Sequence, residues 1–183
     1  PLPPTSAPAR WRVLVFPAIT HPHKGHEFLL DVMDRHWGDP DLRLVLLGGA
    51  GQADQAIEAK IAALQLGPRV IRTGRVPAAH RDGLLALAEA LVFPSEYEGF
   101  GAPIVEAMAL GTPVVAADQP AVAEVIGDAG IVLPRDVDAW ARVLDDVAAR
   151  RSELVTAGRH RSADFTAVRS GAALAAAYRR ALT

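Results

Sequence analysis

The sequence predicts an α/β fold: a Rossmann-like, doubly wound parallel sheet of about six strands followed by C-terminal helices. Three observations predict it. Short Val- and Leu-rich runs alternate with longer segments of helical periodicity, the signature of βαβ units. The runs are apolar almost throughout instead of at every second position, as expected of strands covered on both faces. The residues of unusual chemistry gather just after the strands, on the rim where open α/β sheets bind ligands.

Each element follows in order. The chain opens PLPPTSAPAR, without methionine and with four prolines in its first eight residues. Such a segment resists helix and favours an extended linker. Residues 1–10 are therefore expected to be a linker and residues 11–183 one domain cut from a longer protein. WRVLVFP (11–17) reads as the first buried strand, and GHEFLLDVMDRHW (25–37) as a helix with Phe28, Leu29, Val32, Met33 and His36 on one face. LRLVLLGG (42–49) is the second strand, and DQAIEAKIAALQLG (54–67) a helix stopped by Gly67 and Pro68. RVIRTGRVP (69–77) is a third strand running into a loop, HRDGLLALAEA (80–90) a short helix and LVFPS (91–95) a fourth strand. A helix is expected from Ala102 and Pro103 to Leu110, then a strand in TPVVAAD (112–118), a helix in PAVAEVIG (120–127) and a strand in GIVLP (130–134). From Asp136 onward the pattern is helical. Asp118 reads as a helix N-cap.

Composition narrows the function. At 183 residues the chain can bury one real core. A net charge of -2 gives no electrostatic reason to expect nucleic acid or an anionic membrane as partner. The absence of cysteine excludes a disulfide, a thiol nucleophile and a thiolate metal site. No apolar run reaches membrane-spanning length and no signal-peptide pattern opens the chain, so a cytoplasmic location is expected.

The loops after the strands are AITHPHKG, GGAGQ, TGRVP, SEYEGFGAP and ADQPA. In the fourth, Pro103 suits a first helical turn, and Gly99 and Gly101 let the backbone bend and approach a ligand. The N–H groups at the start of such a helix attract anions, phosphate above all. Glu98 and Glu106 would be repelled by phosphate, so their role there is to accept hydroxyl groups, as carboxylates do for sugars and riboses. Phosphate and hydroxyls together suggest a nucleotide sugar. Taken singly, Glu98 reads as a solvated loop acid, Glu106 as an acid complementing the helix dipole and Lys24 as a surface lysine. Beside a glycine and after a strand, however, Lys24 can set a point charge on a diphosphate.

At this point the sequence resembles a family. EGFGAPIVEAMALGTPVVAAD is similar to the signature of the retaining glycosyltransferases of GT-B fold, the glycosyl transferases group 1 family, whose hallmark is Glu, seven residues, Glu. The likeness is dense over 91–118, continues in AVAEVIGDAGIVLP, LVLLGG and VIRTGRVP, and reaches nearly the whole chain from Arg12. It implies the C-terminal half of a GT-B fold, which binds the nucleotide-sugar donor opposite an N-terminal domain that carries most of the acceptor site. The expected donor is a UDP- or GDP-hexose, with no cofactor and no metal. The expected partner is the N-terminal domain of the same full-length protein, through which alone any peripheral contact with the inner face of a membrane would arise. The fragment by itself is expected to be inactive.

Carried over by matching position, the resemblance makes Glu98 the contact to the donor sugar near the reacting centre and Glu106 the holder of the ribose. Backbone groups of Gly99, Phe100, Gly101 and Ala102 would meet sugar and phosphate. Gly48 and Gly49 would line the donor site, Arg75 and Val76 would lie by the base, and Lys24 of the HKG element would act with Glu98 in catalysis. Two departures stand out. Where the family has a Gly-Arg pair ending the first strand, this chain has Pro17 and Ala18, with His21 and His23 as nearby substitutes for the lost cation. A branch of the family carries such a proline-alanine and histidine-lysine loop. In DFTAVRS, Ala167 stands where the family has tryptophan. His21, His23 and His26 share one stretch without a fourth ligand, which argues against a metal. The competing readings are a non-catalytic nucleotide- or sugar-phosphate-binding module and a nucleotide-sugar epimerase. A phosphorylase would need a pyridoxal-phosphate lysine, and Lys60, on a charged helix, is a poor one.

Overall fold

A computed structural model describes residues 11–182; the expected linker at 1–10 lies outside them. Six parallel strands form one sheet: β1 (Arg12–Pro17), β2 (Leu42–Leu47), β3 (Val70–Gly74), β4 (Ala90–Phe93), β5 (Val114–Ala117) and β6 (Ile131–Leu133), in the order β3-β2-β1-β4-β5-β6. The helices are α1 (His26–Arg35), α2 (Asp54–Ala63), α3 (Ala78–Leu87), α4 (Ala102–Leu110), α5 (Pro120–Ile126), α6 (Val143–Ser162) and α7 (Ala167–Ala181). Short 3₁₀ turns occupy Pro22–Lys24 and Asp138–Trp140.

The strand order reverses between β1 and β4. In register, Leu14 lies beside Ala90 and Val15 beside Leu91 on one side, while Leu44 and Val45 flank them on the other. The loops leaving β1 and β4 therefore diverge across a crevice at the carboxyl edge, the switch point where such sheets take their ligands. The doubly wound fold is as the sequence predicts. Its core is the continuous apolar strand set, with Leu14, Val15, Phe16, Leu91, Val92, Val114 and Val115 all fully buried. Helix α1 packs against it through Phe28, Leu29, Leu30, Val32 and Met33.

Trp140 closes one side of this core. It meets Phe28 edge-on at 5.2 Å and donates its indole N–H to the Pro134 carbonyl at 3.0 Å, so its polar handle is satisfied although the ring is buried. On α6, Gly158 lets the backbone come close to Met108 of α4; a Cβ there would sit 3.3 Å from Met108 Cγ.

The structure shifts several boundaries. Helix α2 ends at Ala63, ahead of Gly67, because Gln65 takes the left-handed conformation (φ 54°) and the Leu66 N–H reaches back to the Ile61 carbonyl at 2.9 Å. Strand β3 ends at Gly74, and α3 begins at Ala78 behind Pro77. His36 falls just past α1, where Nε2 lies 2.8 Å from Asp138 Oδ1. Asp118 is not the N-cap of α5. Its N–H donates to the Leu133 carbonyl at 2.7 Å, which extends the β5–β6 ladder, so the turn into the helix comes one residue later. Gln119 caps instead, its side-chain oxygen accepting from the Val122 N–H at 2.9 Å. No helix among the described residues is long and apolar enough to cross a membrane.

Candidate functional site

Two loops build the site. After β1 the chain makes the 3₁₀ turn at Pro22–Lys24 and passes through Gly25 in the left-handed conformation (φ 80°). A Cβ on Gly25 would lie 2.7 Å from the Pro94 carbonyl oxygen, so only glycine lets this turn sit directly on the loop after β4. The Glu96 N–H then donates to the His23 carbonyl at 2.8 Å. This docking brings Lys24 Nζ to 2.7 Å from Glu98 Oε1, with the side chains only 21% and 12% exposed. The two candidate catalytic residues, 74 positions apart, thus form one ion pair.

Helix α4 starts beside that pair. Its N-cap, Gly101, is left-handed (φ 82°), and no side chain caps the helix; Pro103 sits in the first turn. A cleft of about 270 Å³ lies between this helix start and the loop after β1, lined by Ala18, His21, Lys24, Glu98, Gly101 and Ala102 among others. A second cleft, about 310 Å³, adjoins it and is lined by Gly48, Arg75, Val76, Arg81 and Glu106. Both clefts are walled by Pro17, Ala18, Ile19 and Pro103, so they are two chambers of one groove crossing the α4 N-terminus. The chambers gather Lys24, Glu98, Gly101 and Ala102 at one end and Gly48, Arg75, Val76 and Glu106 at the other. Gly49, Gly99 and Phe100 line neither chamber. Phe100 turns away to meet Phe165 edge-on at 5.5 Å. A larger depression of about 970 Å³ runs along α6 beside Gly127 and Ala129 and shares no lining residue with the groove.

Gly48 has a reason that needs no ligand. With φ 148°, a Cβ would stand 2.1 Å from the Ala18 carbonyl oxygen. The loops after β1 and β2 cross there, clamped by the Ala18 N–H donating to Leu47 at 2.7 Å. A Cβ on Gly49 would meet the Arg75 side chain at 3.0 Å, so this glycine makes room for Arg75 to lie across it. Gly48→Ala is expected to cost about 2 kcal/mol or more, from backbone strain plus the clash, and chemical denaturation will measure it. Unchanged stability would mean that the crossing can open.

Several groups that hold the rim belong to no sequence motif. Buried Thr20 accepts from the Gly51 N–H at 2.7 Å and donates to Asp54 at 2.9 Å, tying the loop after β1 to the start of α2. Arg72, from β3, also pairs with Asp54, and the two hydrogen bonds, Arg72's first and then Thr20's, hold the Asp54 carboxyl below its ordinary range. On the far side, Arg81 lies 3.4 Å from Glu106.

The three histidines separate. His23 is stacked between His21 (5.9 Å) and Tyr97 (4.3 Å). Only His21 lines the groove beside Lys24. His26 is buried against Phe16 with no well-formed hydrogen bond at either ring nitrogen. Burial pushes its pKa down to about 4, an effect only partly offset by the Ala18 backbone, so it is neutral at neutral pH and supplies no cation. Among the described residues no cluster of three or more His, Asp or Glu side chains could hold a metal ion.

Known proteins resemble this chain in sequence and fold. Residues 11–150 match the family described as Glycosyl transferases group 1. An MMP alpha-(1->4)-mannosyltransferase of Mycolicibacterium hassiacum is 35% identical over 145 residues, which are 77% of this chain and 35% of that protein. Among solved structures, the sucrose-phosphate synthase of Thermosynechococcus elongatus superposes with a TM-score of 0.82 at 27% identity, covering 96% of this chain and 47% of its own. Anabaena HepE, solved in complex with UDP-glucose, superposes with a TM-score of 0.73 at 26% identity over 85% of this chain and 44% of its own. The chain therefore spans between a third and a half of the length of each of these three proteins.

Proposed function

This chain belongs to the glycosyl transferases group 1 family and has its GT-B, Rossmann-like architecture; from that premise we propose that it is the donor-binding domain of a retaining glycosyltransferase. It takes a hexose from a nucleoside-diphosphate sugar, UDP- or GDP-linked, and the acceptor hydroxyl comes from a site completed by an N-terminal domain. The observation that carries this reading is the two-chambered groove at the sheet's switch point. Lys24 and Glu98 stand at one end, Arg75, Val76 and Glu106 at the other, and an uncapped helix start lies between. A sugar, a diphosphate and a nucleoside have this order. The relatives support it: one is named a mannosyltransferase, and another was solved with UDP-glucose.

In this reading the α4 N-terminus and Lys24 hold the diphosphate, and Glu98 accepts sugar hydroxyls. Glu106 accepts the ribose hydroxyls. Transfer breaks the bond from the anomeric carbon to the β-phosphate oxygen, and the electron pair leaves with the diphosphate. The acceptor oxygen bonds to that carbon on the same face, and its proton passes to the departing phosphate. Lys24 and the helix N–H groups offset the negative charge that grows on the leaving group, with no metal called for. Because the acceptor half is supplied elsewhere, the domain alone binds donor without turnover.

A thermal-shift screen of the chain against UDP, GDP, ADP and their hexose conjugates tests this. At about 100 times Kd a true ligand should add about 2.7 kcal/mol, or roughly 5–10 °C for a domain of this size. A shift with one base names the donor class; no shift with any of them contradicts the donor site. A longer protein that binds the same nucleotide sugar yet transfers nothing would favour a plain binding module instead.

A further inference from the structure

Glu106 is not alone in its chamber. Arg81 of α3 lines the same cleft, with Nη1 3.4 Å from Glu106 Oε1. The rest of its guanidinium is already committed: Nε and Nη2 both reach Asp82 Oδ1, at 2.9 and 2.8 Å. A guanidinium is planar and rigid, so fixing one edge fixes the direction of the remaining nitrogen. All three side chains are about a third exposed or a little more, so the pair adds little to fold stability. A weak pair at the edge of a ligand cleft has a second use, because it chooses a rotamer. With Arg81 on Oε1, the other carboxylate oxygen is left to accept hydrogen bonds from a ligand.

We propose that Arg81, held by Asp82, is a positioning residue that aims the Glu106 carboxylate at a vicinal diol in the nucleoside chamber and so sets the preference for ribose over deoxyribose. The inference rests on the reading of Glu106 given under the proposed function. A lone carboxylate on a helix turns among several rotamers, and a diol presents two donors at fixed spacing. Restricting the rotamer therefore favours the two-hydroxyl ligand more than one that presents a single hydroxyl.

The test is calorimetric titration of the chain with UDP and with GDP, and with the 2′-deoxy form of each. Wild type, Arg81→Gln, Arg81→Lys, Asp82→Asn and Glu106→Gln are compared, with melting temperatures confirming that each folds. Arg81→Gln should weaken the ribonucleotide roughly two- to fivefold and the 2′-deoxynucleotide, which keeps only its 3′-hydroxyl, clearly less. Asp82→Asn should do the same more weakly, and Arg81→Lys should recover part of the preference. Equal losses for both nucleotides would overturn the proposal, since Arg81 would then touch the ligand directly. A preference lost in Glu106→Gln but intact in Arg81→Gln would also overturn it, while sparing the assignment of Glu106. If Glu106→Gln itself keeps the full preference, the assignment of Glu106 falls, and the proposal with it.

Discussion

Lys24→Ala is expected to cut sugar transfer by the full-length protein roughly 10²–10³-fold, the usual consequence of removing one preorganised charge donor from a developing anion. The cation has few substitutes. Ala18 stands where a guanidinium would be expected from the resemblance, His23 is stacked between two rings, and His26 is buried and neutral. Arg75 makes no ion pair among the described residues, but it lies in the other chamber. The substitution also leaves Glu98, 12% exposed, without its partner. A discounted cost of about 1 kcal/mol to stability follows, well short of unfolding. Rate and melting temperature must therefore separate: a large loss of kcat with a small drop in Tm. Transfer within a factor of three of wild type would remove Lys24 from the mechanism.

Glu98→Gln should have two effects of opposite sign. In the described state Glu98 holds Lys24 at 2.7 Å, and a diphosphate must compete with it for that ammonium. Removing the carboxylate charge frees Lys24 and removes a like charge from beside the phosphates. Binding of the bare nucleoside diphosphate should tighten, by roughly 1 kcal/mol or about fivefold. Binding of the sugar nucleotide should gain less, because a hydroxyl acceptor is weakened, and transfer should fall by about 10² or more. The crossover is the informative result, since a purely structural Glu98 would weaken both ligands together. Titration of the two ligands into both proteins, with an assay of the longer protein, reads it.

Much of the fold was legible because the inner strands are buried on both faces, although edge strand β3 is mostly exposed. Leu44, Val45, Leu91, Val92, Val114 and Val115 cannot be polar, so the strands show as unbroken apolar runs. The helix starting at Ala102 announced itself through left-handed Gly101 and Pro103. Less visible were features decided by hydrogen bonds between distant segments. Asp118 looked like a cap but is drawn into the ladder by Leu133, and Gln119 takes its place. Gln65, with no special propensity for it, adopts the left-handed turn expected of Gly67. At the site, Lys24 and Glu98 could each be picked out, but not their pairing, which depends on Gly25 resting on Pro94. Gly48 lines the groove as its place after β2 suggests, but its closest constraint is the Ala18 carbonyl, which no local pattern reveals. Arg81, Asp82, Thr20 and Asp54 carry no motif; the packing of α3 brings Arg81 to the groove, and the crossing of the rim loops brings Thr20 to Asp54.

The central claim is that the donor lies along the groove and takes Lys24 from Glu98. A crystal structure of the chain with an unreactive analogue of the nucleotide sugar that it binds tests this most directly. The diphosphate should lie over the α4 N-terminus within 3.2 Å of Lys24 Nζ, with Glu98 turned to a sugar hydroxyl and Glu106 on the ribose. A Lys24–Glu98 pair still closed at its present 2.7 Å, with the nucleotide bound elsewhere, as in the depression along α6, would contradict it.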